Sequence, residues 1–366
     1  MAEATGDRYA LIYISYYEEG GLEFLLFSPG GSEPQTLYTV DISQKDVEDL
    51  VDKFRYELLR SVGTNNTRYL QTSKQLYDAL IAPIHDYLET NKIEGLIFAM
   101  DQGLRDLPIS ALYDGEDYLI EDYNVAIIPS FVALNHDYVR LQNSPVLAMG
   151  AETFPDLNPL PGASLEINAV ADITTGQGFL NEQFTIPNLN RQRTDKAYPI
   201  VHFATHASFE SGSPEKSYVH LWNDKLTLNE FDQLRLSDPP IELLVLSACQ
   251  TAIGSYEAEL GFAGLTIASG AKSALGSLWS VSDQGTMVLM QSFYNYLKTE
   301  PTKADALRMA QLDLLNGNLQ VNNGQVLDRS GAIKNLKLTP DLNNVSLSEL
   351  SHPYYWSGFT MIGQPW

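Results

Sequence analysis

A chain of 366 residues, 44% of them apolar, has material for a sizeable core and for two or three domains. Its 23 basic against 46 acidic residues leave a formal charge of -23 with no Lys/Arg cluster, which argues against a nucleic-acid partner and favours a basic peptide or protein. The single cysteine, Cys249, cannot form an internal disulfide, no apolar run approaches the roughly 18 residues of a membrane span, and "MAEATGDRYALIYISYY" lacks a signal pattern, so a cytoplasmic protein without membrane contact is expected.

Two strand-like runs, "RYALIYISYY" and "LEFLLFS", are separated by Glu18 to Gly21, and the paired glycines predict a hairpin turn. "SQKDVEDLVDKFRYELL" has helical spacing with Ser43 as its N-cap, and a second helix from about Thr72 to Leu88 should be kinked or split by Pro83. A buried strand, "IEGLIFAM", leads into a stretch (101–130) that reads as short strands alternating with Gly and Asp turns. From "SPVLAMGAETF" the pattern alternates: a helix at about 164–173, the strand "YPIVHFATH", a helix near 228–235, the strand "IELLVLSAC", a helical stretch through "GFAGLTIASG" and the strand "AKSALGSLWSV". Helices at about 283–298 and 303–315 and a last strand, "SGFTMIG", complete it. Strands flanked by helices imply a largely parallel sheet covered on both faces. Residues 316–351, rich in Asn, Gly and Ser, read as a loop insertion.

In an open parallel sheet the reactive positions lie at the carboxyl ends of strands. "YPIVHFATHA" ends at His206 and "IELLVLSAC" ends at Cys249, 43 residues later, with room for a crossover between them. A thiol of pKa near 8.5 is only slightly ionised at neutral pH and needs a base beside it, which His206 supplies. Backbone N–H groups of Ala207 and Cys249 would form an oxyanion hole, so the constellation points to acyl transfer from a peptide or amide.

The motifs "LRDLPISALYDGEDYLIEDYNVAIIPS" (104–130), "LPGASLEI" (160–167), "VHFATHA" (201–207) and "LVLSACQTAIG" (244–254) extend this reading. So do "SGAKSALGSLWSVSDQGTMVLMQSFYNYL" (269–297), "ADALRMAQLDLL" (304–315) and "HPYYWSGFTMIG" (352–363). Together they resemble the CHAT-domain peptidases of the caspase-like clan, which includes separases and caspases. The resemblance implies a caspase-like, largely parallel sheet in 143–366 with His206 as base and Cys249 as nucleophile. It also implies a smaller pseudo-protease-like α/β lobe in 1–142. Family members are commonly attached to tetratricopeptide repeats, which this sequence lacks, so either a catalytic fragment or a separate regulatory partner of that type is expected. The function expected is a cysteine endopeptidase acting on a protein or peptide substrate without a cofactor. The alternative is a latent or non-catalytic scaffold that binds a partner protein.

Asp283 follows another strand end, where its carboxylate would select Lys or Arg before the cleaved bond; an N-cap for the helix beginning there is the competing reading. Trp279 would wall the substrate groove or fill the core. Glu257 and Glu259 are alternative acids or solvated loop residues. His202 and His206 share a strand face about 13 Å apart, too far to chelate one ion, so no metal is expected and His202 reads as a buried, hydrogen-bonded residue. His352, beside Pro353, reads as fixing entry into the final strand.

Overall fold

Strand β1 (Tyr9–Tyr16) and strand β2 (Leu22–Phe27) form the expected hairpin, with Leu11 opposite Phe27 and Tyr16 opposite Leu22. Gly20 takes φ +87° in its turn, a region open to a residue without Cβ. The structure, a computed structural model, describes residues 5, 6, 8–17, 20–27, 36–101, 103–129, 137–155, 157–208, 213, 215–249, 267, 269–280, 282–322, 325–327, 333, 334 and 347–366. Strand β3 (Thr36–Val40) extends the hairpin. Helix α1 (Gln44–Ser61) starts where the Ser43 hydroxyl accepts from the Asp46 N–H. Pro83 divides the next helix as its missing N–H requires: α2 (Arg68–Leu80) is followed by a 3-10 turn (Ala82–Ile84) and then α3 (His85–Thr90).

Strand β4 (Gly95–Met100) is buried throughout. The segment after it differs from its alternating-strand reading. It holds a 3-10 turn (Ile109–Ala111), a short helix α4 (Leu119–Asp122) and one sheet strand, β5 (Asn124–Ile127). The Asp114 side chain accepts from the N–H groups of Glu116 and Asp117, a local bond that competes with strand pairing.

The second half contains β6 (Val146–Gly150), α5 (Gly162–Thr174), β7 (Gln177–Leu180), α6 (Ile186–Asp195), β8 (Ile200–Ser208), and the hairpin β9 (Tyr218–Leu221) and β10 (Asp224–Thr227). Then come β11 (Leu243–Cys249), β12 (Ser273–Ser277), α7 (Asp283–Tyr296) and α8 (Lys303–Leu315). Three short antiparallel strands, β13 (Gln320–Asn322), β14 (Gln325–Leu327) and β15 (Ile333–Lys334), lie in the segment read as a loop insertion. They precede helix α9 (Pro353–Trp356) and strand β16 (Phe359–Gly363). The sequence reading lacked β7, α6 and the β9–β10 hairpin, and its helix near 228–235 is a 3-10 turn, Leu228–Leu234. The helical stretch read in 261–270 and the acids Glu257 and Glu259 fall largely outside the described residues.

Among the described residues the main sheet runs β7-β6-β8-β11-β12-β16-β5-β4-β1-β2-β3. The β9–β10 hairpin pairs with the far end of β8, at Ala207 and Ser208, beyond the stretch taken by β6. β16 is antiparallel to β12 and parallel to β5. The sheet therefore contains two parallel blocks of opposite direction, with the carboxyl ends of β8 and β11 at one edge and those of β1, β4 and β5 at the other. The sheet and the core beneath it run on across residue 142.

Strand alternation sorts the two layers. Val146, Ala148, Ile200, Ala204, Leu243 and Val245 share a core with Ile167 of α5 and Leu289 and Phe293 of α7, and that core continues through Ile12 and Phe98 to Phe54 of α1. Leu147, Met149, Val201, Phe203, Leu244 and Leu246 face the other way, onto Leu189 of α6, Phe184 and Phe231. Helix α8 clips the two halves together: Asn124 Nδ2 donates to Asp305 Oδ1 at 2.6 Å, and Arg308 Nε donates to the Ile120 carbonyl at 2.8 Å. No helix among the described residues is long and apolar enough to cross a membrane.

Candidate active site

Leu243 to Cys249 of β11 pair in parallel with Ile200 to His206 of β8, and the final register pair is Cys249 with His206. The two residues therefore sit on adjacent strands one interstrand spacing apart, about 4.8 Å, where β11 ends and β8 runs on for two residues to Ser208, past the expected strand end at His206. The Cys249 side chain lies outside the described part of the site. His206 is partly exposed, and its Nε2 lies 2.8 Å from the Asn158 carbonyl oxygen. A carbonyl oxygen only accepts, so Nε2 carries the proton in that bond and Nδ1 keeps the lone pair of the neutral ring. The Phe154 ring, 4.7 Å from the imidazole centroid, packs against it. Ala207 follows in the same strand, opposite Val219 of β9, and is buried.

Next to these strand ends is a narrow cleft with about 20 Å³ of room, lined by Leu160, Gly162, Glu166, Thr205, Ser247 and Asp283, among others. Its walls come from α5, β8, β11 and α7. Thr286, also on the wall, and Ser247 are buried, and neither hydroxyl has a hydrogen-bond partner among the described residues. Glu166 forms the floor. Its Oε1 lies 3.1 Å from Nε2 of the wholly buried His202 without hydrogen-bond geometry, and the His202 Nδ1 is 3.0 Å from the Tyr294 hydroxyl, which holds the ring. Burial first, and the Glu166 charge second, push the Tyr294 phenol upward.

Asp283 stands at the mouth of the cleft. The N-cap of α7 is Ser282, whose hydroxyl accepts from the Gly285 N–H at 3.0 Å, so the capping role that competed for Asp283 belongs to its neighbour. The Asp283 carboxyl is exposed, yet the surrounding walls hold it above its ordinary value, with the Glu166 charge adding and His206 opposing. Two carboxylates on one small cleft repel each other, and a cation between them relieves that.

Trp279 corrects an expectation. It is 0% exposed, donates from Nε1 to the Tyr354 carbonyl at 3.1 Å and stacks at 13° on the Tyr354 ring, so it fills the core and is not a groove wall. Trp279→Ala should cost about 3–5 kcal/mol of stability, read as a drop in the urea midpoint; an unchanged midpoint would contradict the packing. His352 caps α9 by accepting from the Tyr354 N–H and meets Ser61 Oγ at 2.9 Å, and burial pushes it down to about 4. It holds the approach to β16 and takes no part in the cleft. Glu166, Ser247, Thr286 and Phe154 escaped sequence reasoning. Glu166 alone carried a signal, as a carboxylate on an otherwise apolar helix face within "LPGASLEI".

The strand order and the meeting of His206 with Cys249 at one sheet edge define a caspase-like α/β fold. The CHAT domain matches residues 70–364, and the chain belongs to that family. Among solved structures it is similar to the Saccharomyces cerevisiae separase–securin complex, at TM-score 0.50 and 11% identity, covering 98% of this chain and 30% of that one. It is also similar to the Arg-specific cysteine proteinase gingipain R, at TM-score 0.43 and 12% identity, covering 88% of this chain and 74% of that one. Mouse Tetratricopeptide repeat protein 28 is 23% identical over 356 residues, a match that takes in 79% of this chain and only 13% of that protein's length.

Proposed function

We propose that this protein is a cysteine endopeptidase that cuts protein substrates after Lys or Arg. The observation that carries the reading is the register pair Cys249–His206, with the imidazole already oriented by the Asn158 carbonyl. The Cys249 thiol gives its proton to His206 Nδ1, and the thiolate attacks the scissile carbonyl carbon. The N–H groups of Ala207 and Cys249 hold the oxyanion. His206 returns the proton to the leaving amine as the C–N bond breaks, and water, deprotonated by His206, then hydrolyses the thioester.

The cleft supports the basic preference. Glu166 and Asp283 offer charge, and the hydroxyl oxygens of Ser247 and Thr286 offer acceptors, which suits a cationic tip with several N–H donors. A regulator carrying tetratricopeptide repeats fits the likeness to a tetratricopeptide repeat protein.

The test is covalent labelling by peptidyl acyloxymethyl ketones bearing Lys, Arg, Leu, Met or Asp at the reactive position, read by intact mass. Lys and Arg probes should label fastest, and Asp283→Asn should lower their advantage over Leu by roughly tenfold, the loss of one charge-assisted contact. Absence of labelling by every probe, in folded protein, would sink the reading. Fastest labelling by the Asp probe would sink the acidic-pocket assignment.

A further inference from the structure

A second concavity lies beside His206, away from the acidic cleft. It has about 340 Å³ of room and apolar walls from Phe154, Pro155, Leu157 and Leu221, with His220 and Lys225 completing it among others. Leu157 is 38% exposed, one of three large hydrophobic side chains that stand open to solvent among the described residues. Phe154 links the groove to the dyad: its ring is 4.7 Å from that of His206 and 5.8 Å from that of His220. Burial, with Lys225 and His206 adding, pushes His220 down to about 4, so the groove carries a neutral imidazole at neutral pH.

One stretch of chain organises both concavities. Phe154, Pro155 and Leu157 wall the apolar groove, the Asn158 carbonyl holds His206 Nε2, and Leu160, Gly162 and Ala163 wall the acidic cleft. His206 therefore stands between them. Given the peptidase reading above, on which this inference rests, a substrate with its basic side chain in the cleft must carry its leaving-group side past His206, because that ring protonates the departing amine.

We propose that the groove formed by Phe154, Pro155, Leu157 and Leu221 is a specificity subsite for an apolar side chain, Leu or Phe, just after the cleaved bond. The hairpin β9–β10 supplies one wall and Phe154, Pro155 and Leu157 the other, so the site exists only where these two meet beside His206. The -23 charge of the chain attracts basic substrates in general, whereas this groove chooses among them by a neutral contact.

The experiment uses the full chain carrying Cys249→Ala, which binds without turnover, and a peptide series with Lys before and Gly, Asp, Leu or Phe after the scissile position, read by calorimetry. Leu and Phe peptides should bind roughly ten- to a hundredfold more tightly than Gly, and adding Leu157→Asp should erase that gain, bringing the Leu, Phe and Gly peptides to similar affinities. Leu157 is exposed, so the variant keeps the fold. Labelling of the wild-type protein by the Lys ketone runs in parallel. Labelling with equal affinities for Gly and Phe would overturn the groove alone. Neither labelling nor peptide binding would overturn the peptidase reading and the groove with it.

Discussion

Cys249→Ala should abolish the covalent adduct with every ketone probe, and His206→Ala should slow adduct formation by about 10²–10⁴-fold at pH 7. A free thiol with pKa near 8.5 is only a few per cent ionised there, so a missing base costs most of the thiolate, whereas the carboxylate that leaves the ketone needs no proton. The two variants differ in their response to pH. Cys249→Ala has no nucleophile at any pH, whereas the thiol left in His206→Ala ionises by itself as pH rises through about 8.5, so its labelling should recover between pH 7 and 9. His206→Ala labelling at the wild-type rate at pH 7 would mean that the register pair is structural and that the thiol is activated by other groups. Both residues lie at strand ends, so circular dichroism and the urea midpoint should stay close to wild type, which separates lost chemistry from lost fold.

The second large effect concerns Lys303, the first residue of α8. It is 2% exposed, and among the described residues its Nζ reaches only the Glu242 carbonyl, at 3.4 Å. Burial pushes its ammonium down to about 7; Glu242 opposes this and Lys272 adds to it. In the unfolded chain a lysine titrates near 10.4. Between those values the unfolded state holds a proton that the folded state lacks, so this residue makes stability rise with pH, by up to about 1.4 kcal/mol per unit. Below about 7 both states are protonated, and the folded protein bears the full cost of a buried charge. Lys303→Met keeps the length of the side chain and removes the charge. It should stabilise the protein at pH 6 by a few kcal/mol, on the order set by such shifts, and by progressively less toward pH 10. Urea midpoints at pH 6, 7, 8 and 9 for both proteins measure this. Parallel curves over the whole range would show that Lys303 is not buried as an uncompensated cation.

The position of Lys303 has a structural reason. Residues 302–308 of α8 lie where the two oppositely directed blocks of the sheet are joined. Thr302 meets the Tyr9 hydroxyl at 3.2 Å, Asp305 accepts from Asn124, and the Ala304 N–H donates to the Pro365 carbonyl at 3.0 Å. A long side chain at the helix start is enclosed by contacts from both ends of the chain.

Local chemistry was legible in the sequence where it depended on neighbours along the chain. The Gly20 turn, the Ser43 cap and the break at Pro83 follow from steric and hydrogen-bonding rules that act over a few residues; the strand ending at Cys249 was legible too, while β8 runs two residues past His206 because Ala207 and Ser208 pair with β9. The motifs around those strand ends also carried the family. Elements with weak local patterns were missed. β9 and β10 are four residues each and include Asp224 and Lys225, and β7 is exposed in its first half, so neither presents the alternation that marks a strand.

Tertiary structure alone decided the rest, because it concerns groups far apart in sequence. It set the register of Cys249 against His206, the reversal of the sheet at β16 and the enclosure of Trp279 beneath Tyr354. The acidic cleft joins Glu166, Ser247 and Thr286 from three elements, and the apolar groove joins Phe154, Pro155 and Leu157 to a hairpin more than 60 positions later. The sequence by itself determined the family, the candidate residues His206 and Cys249 and the strands that carry them. Which side chains surround them was decided by packing, since burial and long-range contact arise only once distant elements share one sheet edge.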